Sequence, residues 1–517
     1  MIRLIQKHNL VLINPWHPCL HTTLIFKRRV KDKKWPFNYK YLTERLYHKD
    51  PRNDFGFAFG GLLPDIVRRL SVEGIPHQVE DHRAPLTPAV FDRIQYPLRS
   101  GQPEVLATIA SSHRGIIKCP PGWGKSFIIC QLCRMYPGAK ILVITTRESV
   151  YKSLYKRISA DKELVVNRVK SALKYKPESD VLVTTSGSMH KVGQEWPDIM
   201  IFDEVHGAGS PTLRMIIPQF STDRIYGFSA TPEGRSDNSD IQVRALFGDI
   251  ICNISYQDAQ AAGVVPKVQV RIVESKGDEL GELTTVKRNA LGYWNNVQRN
   301  QDIFRAVRDA DIIPRQTLIL TATLEHAVRL KGLLPEYTVI HAGADKGKWV
   351  SLFKSGALWQ VLAQYDTLEN RRACALSNDM AETALDSLIL HTCVISNPYI
   401  IGLLRLSYKD LGIPDRDKIL EGFETGKLQK VIATTVWKEG VDFPDLSCVV
   451  RADGMAGQIS SIQMGGRLTR LSENDKVLID FTDNYGHSLE TRAQERLRIY
   501  RKEGWEIVNW NPCAVQI

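Results

Sequence analysis

Residues 119–126 read Cys-Pro-Pro-Gly-Trp-Gly-Lys-Ser, between a short apolar run and a segment of helical character. Gly122 and Gly124 let backbone N–H groups turn toward phosphate oxygens, and the N-terminus of the following helix adds partial positive charge. Lys125 offers a cation to β- and γ-phosphates, and Ser126 offers a hydroxyl to Mg²⁺. Pro121 and Trp123 complete the loop. The strict G-x-x-x-x-G-K-[ST] pattern has Gly where this chain has Cys119. The second chemical feature is Ile199-Met-Ile-Phe-Asp203-Glu204-Val-His206, an apolar strand ending in two carboxylates. Beside a phosphate loop, Asp203 can hold Mg²⁺ through its water shell, while Glu204 orients and deprotonates an attacking water. Alone, an Asp-Glu pair is more often a solvated loop.

These residues need strand ends to hold them, and the pattern supplies them. Apolar runs at 116–118, 141–145, 181–184, 199–202 and 225–228 alternate with helical segments, the signature of a parallel sheet covered on both faces. Ligands of such sheets sit at the carboxyl ends of the strands. A second alternating region has candidate strands at 317–320, 337–341, 430–434, 448–451 and 477–481. The expected organisation is α/β: a small N-terminal α/β module (1–95), a first RecA-like parallel-sheet lobe (96–262), a second (263–485) and a C-terminal helical tail (486–517). In the first module, 10–14 and 22–26 read as strands and 64–74 as a helix. Residues 275–300 are polar and read as a connecting excursion. The segment 345–415 is too long for a β/α connection and reads as an insertion.

Length and composition narrow the class. A chain of 517 residues exceeds one hydrophobic core, and 43% hydrophobic with 24% charged residues excludes wholesale disorder. The net charge of +11 favours a polyanionic partner. Residues 1–53 hold twelve Lys/Arg against three Asp/Glu, and Trp35, Phe37, Tyr39, Tyr41 and Tyr47 are interleaved in 27–49. Lys27, Arg28 and Arg29 can meet phosphates while the rings stack on bases; the alternative is a solvated charged hairpin. Nine scattered cysteines form no paired C-x-x-C framework, and Cys130/Cys133 fit a helix face turned to the core. No apolar stretch is long enough to cross a membrane, and the N-terminus lacks a signal-peptide layout, so a soluble, cytoplasmic protein is expected.

The order of these motifs resembles the superfamily 2 helicases, specifically their DExH group, over about residues 96–485. The resemblance implies that Gln102 reads adenine. It implies that Thr146 and Arg147, and Thr185 and Ser186, contact the nucleic-acid backbone, and that Ser229-Ala-Thr231 with His206 couples hydrolysis to strand movement. In the second lobe, 319–323 resembles motif IV, and 433–442, with Thr434, Gly440 and Asp442, resembles motif V. Gln463, Gly466, Arg467 and Arg470 form the Q-x-x-G-R-x-x-R of motif VI. Arg467 and Arg470, three residues apart, share a helix face, and one of them is the expected arginine finger for the γ-phosphate. The hydroxyl residues suit contacts that carry no sequence information, although each alone is more often a cap or turn residue, so their role rests mainly on the resemblance. Gly227–Gly234 and the stretch 59–83 resemble the XPB/UvsW branch, whose members carry an N-terminal DNA-recognition domain.

The expected activity is therefore an ATP- and Mg²⁺-dependent DNA helicase or translocase acting on duplex, forked or branched DNA. An RNA helicase is the alternative enzyme, and a nucleic-acid-binding scaffold with a degenerate ATPase the alternative from another class. Retention of Lys125, Asp203, Glu204, Arg467 and Arg470 argues against the scaffold.

Overall fold

The computed structural model describes residues 1–31, 39–146, 148–170, 175–233, 238–277, 279–341, 352, 356, 416–434, 443, 445–455, 468 and 475–513. The insertion expected at 345–415 lies almost wholly outside them. The chain falls into two units, Met1–Val265 and Pro266–Ile517.

The first unit begins with strands β1 (Ile2–Lys7), β2 (Leu10–Asn14), β3 (Ile25–Lys31), β4 (Tyr39–Arg45), β5 (Tyr47–Lys49), β6 (Gly56–Phe59) and β7 (His77–Asp81). Five of them form a mixed sheet in the order β5-β6-β2-β1-β7. Ile2, Leu4, Val11 and Ile13 alternate onto one face and meet Ile66 and Leu70 of helix Leu63–Val72, the period-2 pattern of a half-covered sheet. The strand expected at 22–26 is instead a short helix, Leu20–Thr23, followed by β3. Leu20 and Leu24 are both fully buried in this core, and their i,i+4 spacing selects the helical turn. β3 and β4 form a separate antiparallel ribbon.

This module is seated firmly on the larger, sheet-bearing part of the unit. Asn9 Nδ2 donates to the carbonyls of Ile217 and Phe220 at 3.3 and 3.1 Å, and Arg114 Nη2 donates to the His8 carbonyl at 2.6 Å. Gly61 lies so close to the backbone of Arg244 and Ala245 that a Cβ there would collide with their carbonyls.

The larger part contains β8 (Arg114–Lys118), β9 (Ile141–Thr145), β10 (Val166–Val169), β11 (Val181–Thr185), β12 (Ile199–Asp203), β13 (Arg224–Ser229) and β14 (Ile250–Asn253). They form one all-parallel sheet in the order β10-β11-β9-β12-β13-β8-β14. The central strands are buried on both faces, each Ile, Val, Leu or Phe contributing about 1.5–3 kcal/mol of burial.

The second unit carries β15 (Val268–Val273), β16 (Thr317–Leu320), β17 (Thr338–Ile340), β18 (Lys430–Ala433), β19 (Cys448–Arg451), β20 (Lys476–Phe481) and β21 (Glu506–Trp510), again all parallel, in the order β17-β18-β16-β19-β20-β15-β21. Two sequence expectations are corrected here. The polar stretch 275–300 holds helical turns at Thr285–Asn289 and Ala290–Trp294 and the start of helix Val297–Val307. The C-terminal tail is a helix, His487–Glu503, followed by β21, which closes the sheet beside β15.

Candidate nucleotide and nucleic-acid site

Strand register aligns the candidate residues of the first unit on one sheet edge. Thr185 is level with Thr145, Thr145 with Asp203, Asp203 with Phe228, and Ser229 with Lys118. Each strand thus delivers its last residue to the same rim, where the connecting loops rise from the sheet.

The phosphate loop leaves β8 at that rim. Gly122 and Gly124 have φ of 78° and 112°, values that favour glycine, and Gly124 caps helix Lys125–Met135. Gln102 holds the loop from behind: its Nε2 donates to the Trp123 carbonyl at 3.0 Å and its Oε1 accepts from Arg99 N–H at 2.9 Å. The same Nε2 would lie 2.7 Å from any Cβ at position 124, a second reason for glycine there. Gln102 is almost fully buried, so in this structure its amide serves the loop backbone. The Trp123 ring is fully buried as well. Cys119 explains its own departure from the motif: its thiol is buried and pushed up to about 12 by that burial, and it sits as a small apolar residue.

Lys125 Nζ lies 3.6 Å from Glu204 Oε1. Burial opposes its charge, but the facing acidic groups, Glu204 foremost, together hold the ammonium above its ordinary value. Asp203 is buried, and burial followed by the neighbouring Glu204 charge pushes its carboxyl up. Burial works against the Glu204 charge too, yet Lys125 and His206 hold that carboxyl below its usual range. Glu204 also has a left-handed backbone, φ 55° and ψ 56°, a conformation costing about 1–3 kcal/mol that clusters at functional sites. Two carboxylates thus face one ammonium, and carboxylate oxygens are the kind of donor that Mg²⁺ takes.

His206 joins this centre to the next motif. Its Nδ1 lies 3.2 Å from Glu204 Oε2 and 3.1 Å from Ser229 Oγ, and Ser229 Oγ accepts the Thr231 N–H at 3.1 Å. A continuous polar chain therefore runs from the carboxylate to residue 231. Thr146 packs against Gly207, whose missing Cβ would lie 2.7 Å from its methyl carbon. Sequence reading passed over Gly207; a glycine right after Asp-Glu-x-His at a crowded strand end was the available signal. Thr185 Oγ1 donates to Ser188 Oγ at 3.4 Å, and Ser186 N–H donates to the Thr145 carbonyl at 2.9 Å.

The basic ribbon sorts its cations by face. Arg28 turns inward: its Nε donates to Glu44 Oε1 at 3.0 Å, and Arg214 grips the other oxygen at 2.7 Å. Lys27 and Arg29 are exposed, across the strand from the exposed Thr43 and Tyr41. Arg28, expected with its neighbours to contact nucleic acid, thus has its guanidinium paired with Glu44, which Arg214 also holds. In the second unit Thr434 is nearly buried, and its N–H donates to the Ile340 carbonyl at 3.2 Å. Arg147, Gly440, Asp442, Gln463, Arg467 and Arg470 lie outside the described residues, as do Trp35 and Phe37.

Comparison with known proteins adds to this geometry. Residues 95–234 match the family described as Type III restriction enzyme, res subunit, and residues 394–472 match the Helicase conserved C-terminal domain. The second match begins inside the segment read as an insertion. The first spans the phosphate loop, the Asp-Glu-Val-His strand and Ser229–Thr231, all on the one rim. The chain is a superfamily 2 helicase. This helicase is 22% identical over 400 residues to DNA 3'-5' translocase XPB2 of Sulfurisphaera tokodaii, covering 76% of this chain and 82% of that protein. It is 26% identical over 282 residues to helicase 055L of Frog virus 3, covering 50% of this chain and 62% of the viral one. A solved fragment of an HsdR subunit of a type I restriction enzyme from Vibrio vulnificus shares the fold with a TM-score of 0.50 at 16% identity, over 86% of this chain and 72% of that one. Within its superfamily the helicase is similar to the XPB-type translocase, and as a helicase it is a nucleic-acid-dependent ATPase.

Proposed function

We propose that this helicase is an ATP-dependent DNA motor that unwinds or remodels duplex or branched DNA. The observation that carries the reading is the single rim on which Lys125, Asp203, Glu204, His206 and Ser229 converge, with Glu204, His206 and Ser229 in contact. The N–H groups of the loop and of helix Lys125–Met135 receive the phosphates of ATP, and Lys125 exchanges Glu204 for them. Ser126 and Asp203 would hold Mg²⁺, which supplies charge neutralisation when bound. Glu204 takes the proton of the attacking water. Its hydrogen-bonding demand changes as it does so, and His206 passes that change to Ser229 and Thr231. Gln463, Arg467, Arg470, Gly440 and Asp442 keep the nucleotide-facing roles that the family resemblance implies, with Arg467 or Arg470 stabilising the transferring phosphoryl group.

DNA is favoured as the track by the name of the archaeal relative, by the net charge of +11 and by the ribbon whose exposed face presents Lys27, Arg29 and Tyr41. Thr146, Thr185, Ser186 and Thr434 are proposed backbone contacts. The test is ATPase stimulation and strand separation across single-stranded DNA, forked DNA, four-way junctions, RNA–DNA hybrids and RNA. Stimulation by RNA alone would reassign the track, and no stimulation by any of them would remove the motor.

A further inference from the structure

The chain leaving β19 is held in an unusual way. Residues 452–455 have left the sheet, so their carbonyls need partners from elsewhere. Buried arginines from three elements supply them. Arg299, on helix Val297–Val307, donates to the Ala452 carbonyl at 2.8 Å and the Arg451 carbonyl at 3.4 Å. Arg496, on the C-terminal helix, donates to the Gly454 carbonyl at 3.1 Å. Arg451 itself donates to the Met455 carbonyl at 2.6 Å. Gly454 has φ 61° and presses on the Tyr293 ring, leaving no room for a Cβ.

Three aspartates balance these cations. Arg299 Nε donates to Asp483 Oδ1 at 2.7 Å, and Arg496 makes a two-pronged pair with Asp480 at 2.9 and 3.0 Å while reaching Asp483 Oδ2 at 3.0 Å. Arg451 Nε donates to Asp453 Oδ1 at 3.3 Å, and Tyr500 OH connects Arg451 Nη1 to Asp480 Oδ2 at 3.0 and 2.7 Å. All three guanidiniums are fully buried.

Stability alone does not account for such a cluster. Desolvating charges is costly, and replacing a buried ion network with packed apolar residues is often neutral or stabilising. What the guanidinium fork gives that a hydrocarbon cannot is direction: it fixes a carboxylate and a carbonyl at once. Here the fixed carbonyls belong to Arg451, Ala452, Gly454 and Met455, the last stretch before the segment containing Gln463, Arg467 and Arg470.

We propose that Arg299, Arg451 and Arg496 are positioning residues for ATP hydrolysis, setting the backbone from which the Arg467/Arg470 segment departs. The C-terminal helix, through Arg496 and Tyr500, is then a working part of the ATPase. This rests on the reading of the chain as an ATPase that uses Arg467 or Arg470 at the γ-phosphate.

The test uses the full-length chain and DNA-stimulated ATPase kinetics for Arg299→Lys, Arg496→Lys, Tyr500→Phe and, as a control on the exposed face of the same helix, Glu495→Ala. Lysine keeps the charge and loses the fork. The expected result is a fall in kcat of about 10- to 100-fold for each lysine variant, with KM for ATP within about threefold of wild type and Glu495→Ala unaffected. In an Arg467→Ala or Arg470→Ala background, whichever costs more activity, Arg496→Lys adds little further loss, because both act through one segment. Wild-type kcat in both lysine variants, or fully multiplicative losses in the double variant, overturns the proposal. If thermal melting shows a lysine variant unfolded, Tyr500→Phe decides, since it keeps every charge: lowered kcat supports the proposal and wild-type kcat overturns it. A wild-type chain without ATPase on any nucleic acid removes the functional reading itself, and this proposal with it.

Discussion

Replacing Glu204 with Gln separates the two tasks that the rim combines. At 3.6 Å from Lys125 and an effective dielectric of about 20, the Glu204–Lys125 attraction is roughly 4–5 kcal/mol before desolvation is subtracted. Incoming phosphates must compete with that attraction, because Lys125 cannot serve both partners fully. Gln keeps the shape and removes the competitor. If only about 1 kcal/mol of the attraction survives as a net term, ATP binding tightens roughly fivefold in the variant. Hydrolysis moves the other way: loss of the carboxylate that accepts the water proton lowers turnover by about 100- to 10,000-fold. Titration with a fluorescent ATP analogue reports the first effect and DNA-stimulated phosphate release the second. Turnover within about tenfold of wild type would refute Glu204 as the base, being far below the loss expected for such a group. Nucleotide binding lost together with turnover would refute the competition argument.

Four further outcomes are expected from the geometry. Lys125→Ala loses nucleotide binding and stimulated ATPase together, measured by the same titration and phosphate assay. His206→Ala breaks the contact between Glu204 and Ser229, so strand separation per ATP hydrolysed falls more than hydrolysis itself; a gel-based unwinding assay run beside the ATPase assay checks the ratio. Lys27→Ala with Arg29→Ala reduces the salt slope of DNA binding by about 1.8 if both meet phosphates, whereas Arg28→Ala leaves the slope unchanged and lowers thermal stability by releasing Glu44. Burial pushes the Lys476 ammonium down to about 8 from 10.5; the unfolded chain then holds more protons between those values, so stability rises with pH across that window, and Lys476→Met flattens the rise in melting temperature measured from pH 8 to pH 10.

What the sequence made legible was the buried centre of each sheet. Runs such as 141–144 and 448–450 lie between neighbouring strands and are apolar throughout, so the strands could be read directly. Of the edge strands of the two parallel sheets, β17 was expected and β10, β14 and β21 were missed. Val-Asn-Arg-Val at 166–169 and Glu-Ile-Val-Asn-Trp at 506–510 each have a free side, and the polar residues that an open edge tolerates hide the strand. The nucleotide motifs were legible because phosphate chemistry restricts residue type and spacing together. The arginine–aspartate cluster was not, since Arg299, Arg451, Asp480, Asp483 and Arg496 are scattered and polarity by itself reads as exposure. The same rule misread 275–300, where Gln298, Arg299 and Asn300 begin a helix that buries Arg299 completely. The pairing of Arg28 with Glu44 was hidden for a related reason: period-2 alternation in a ribbon turns it away from Lys27 and Arg29, and nothing in the residue type announces which face is anchored.

The collision that any side chain at Gly61 would cause with the Arg244–Ala245 backbone also bears on how such a protein can be reassembled. A module that meets its neighbour in part through bare backbone is hard to exchange as a cassette, because at that point there is no side chain to retailor to a new partner. Chimaeras that graft residues 1–95 onto a foreign motor inherit a surface cut to fit one helix. The unit to transplant, whether in the laboratory or over evolutionary time, is 1–265 entire.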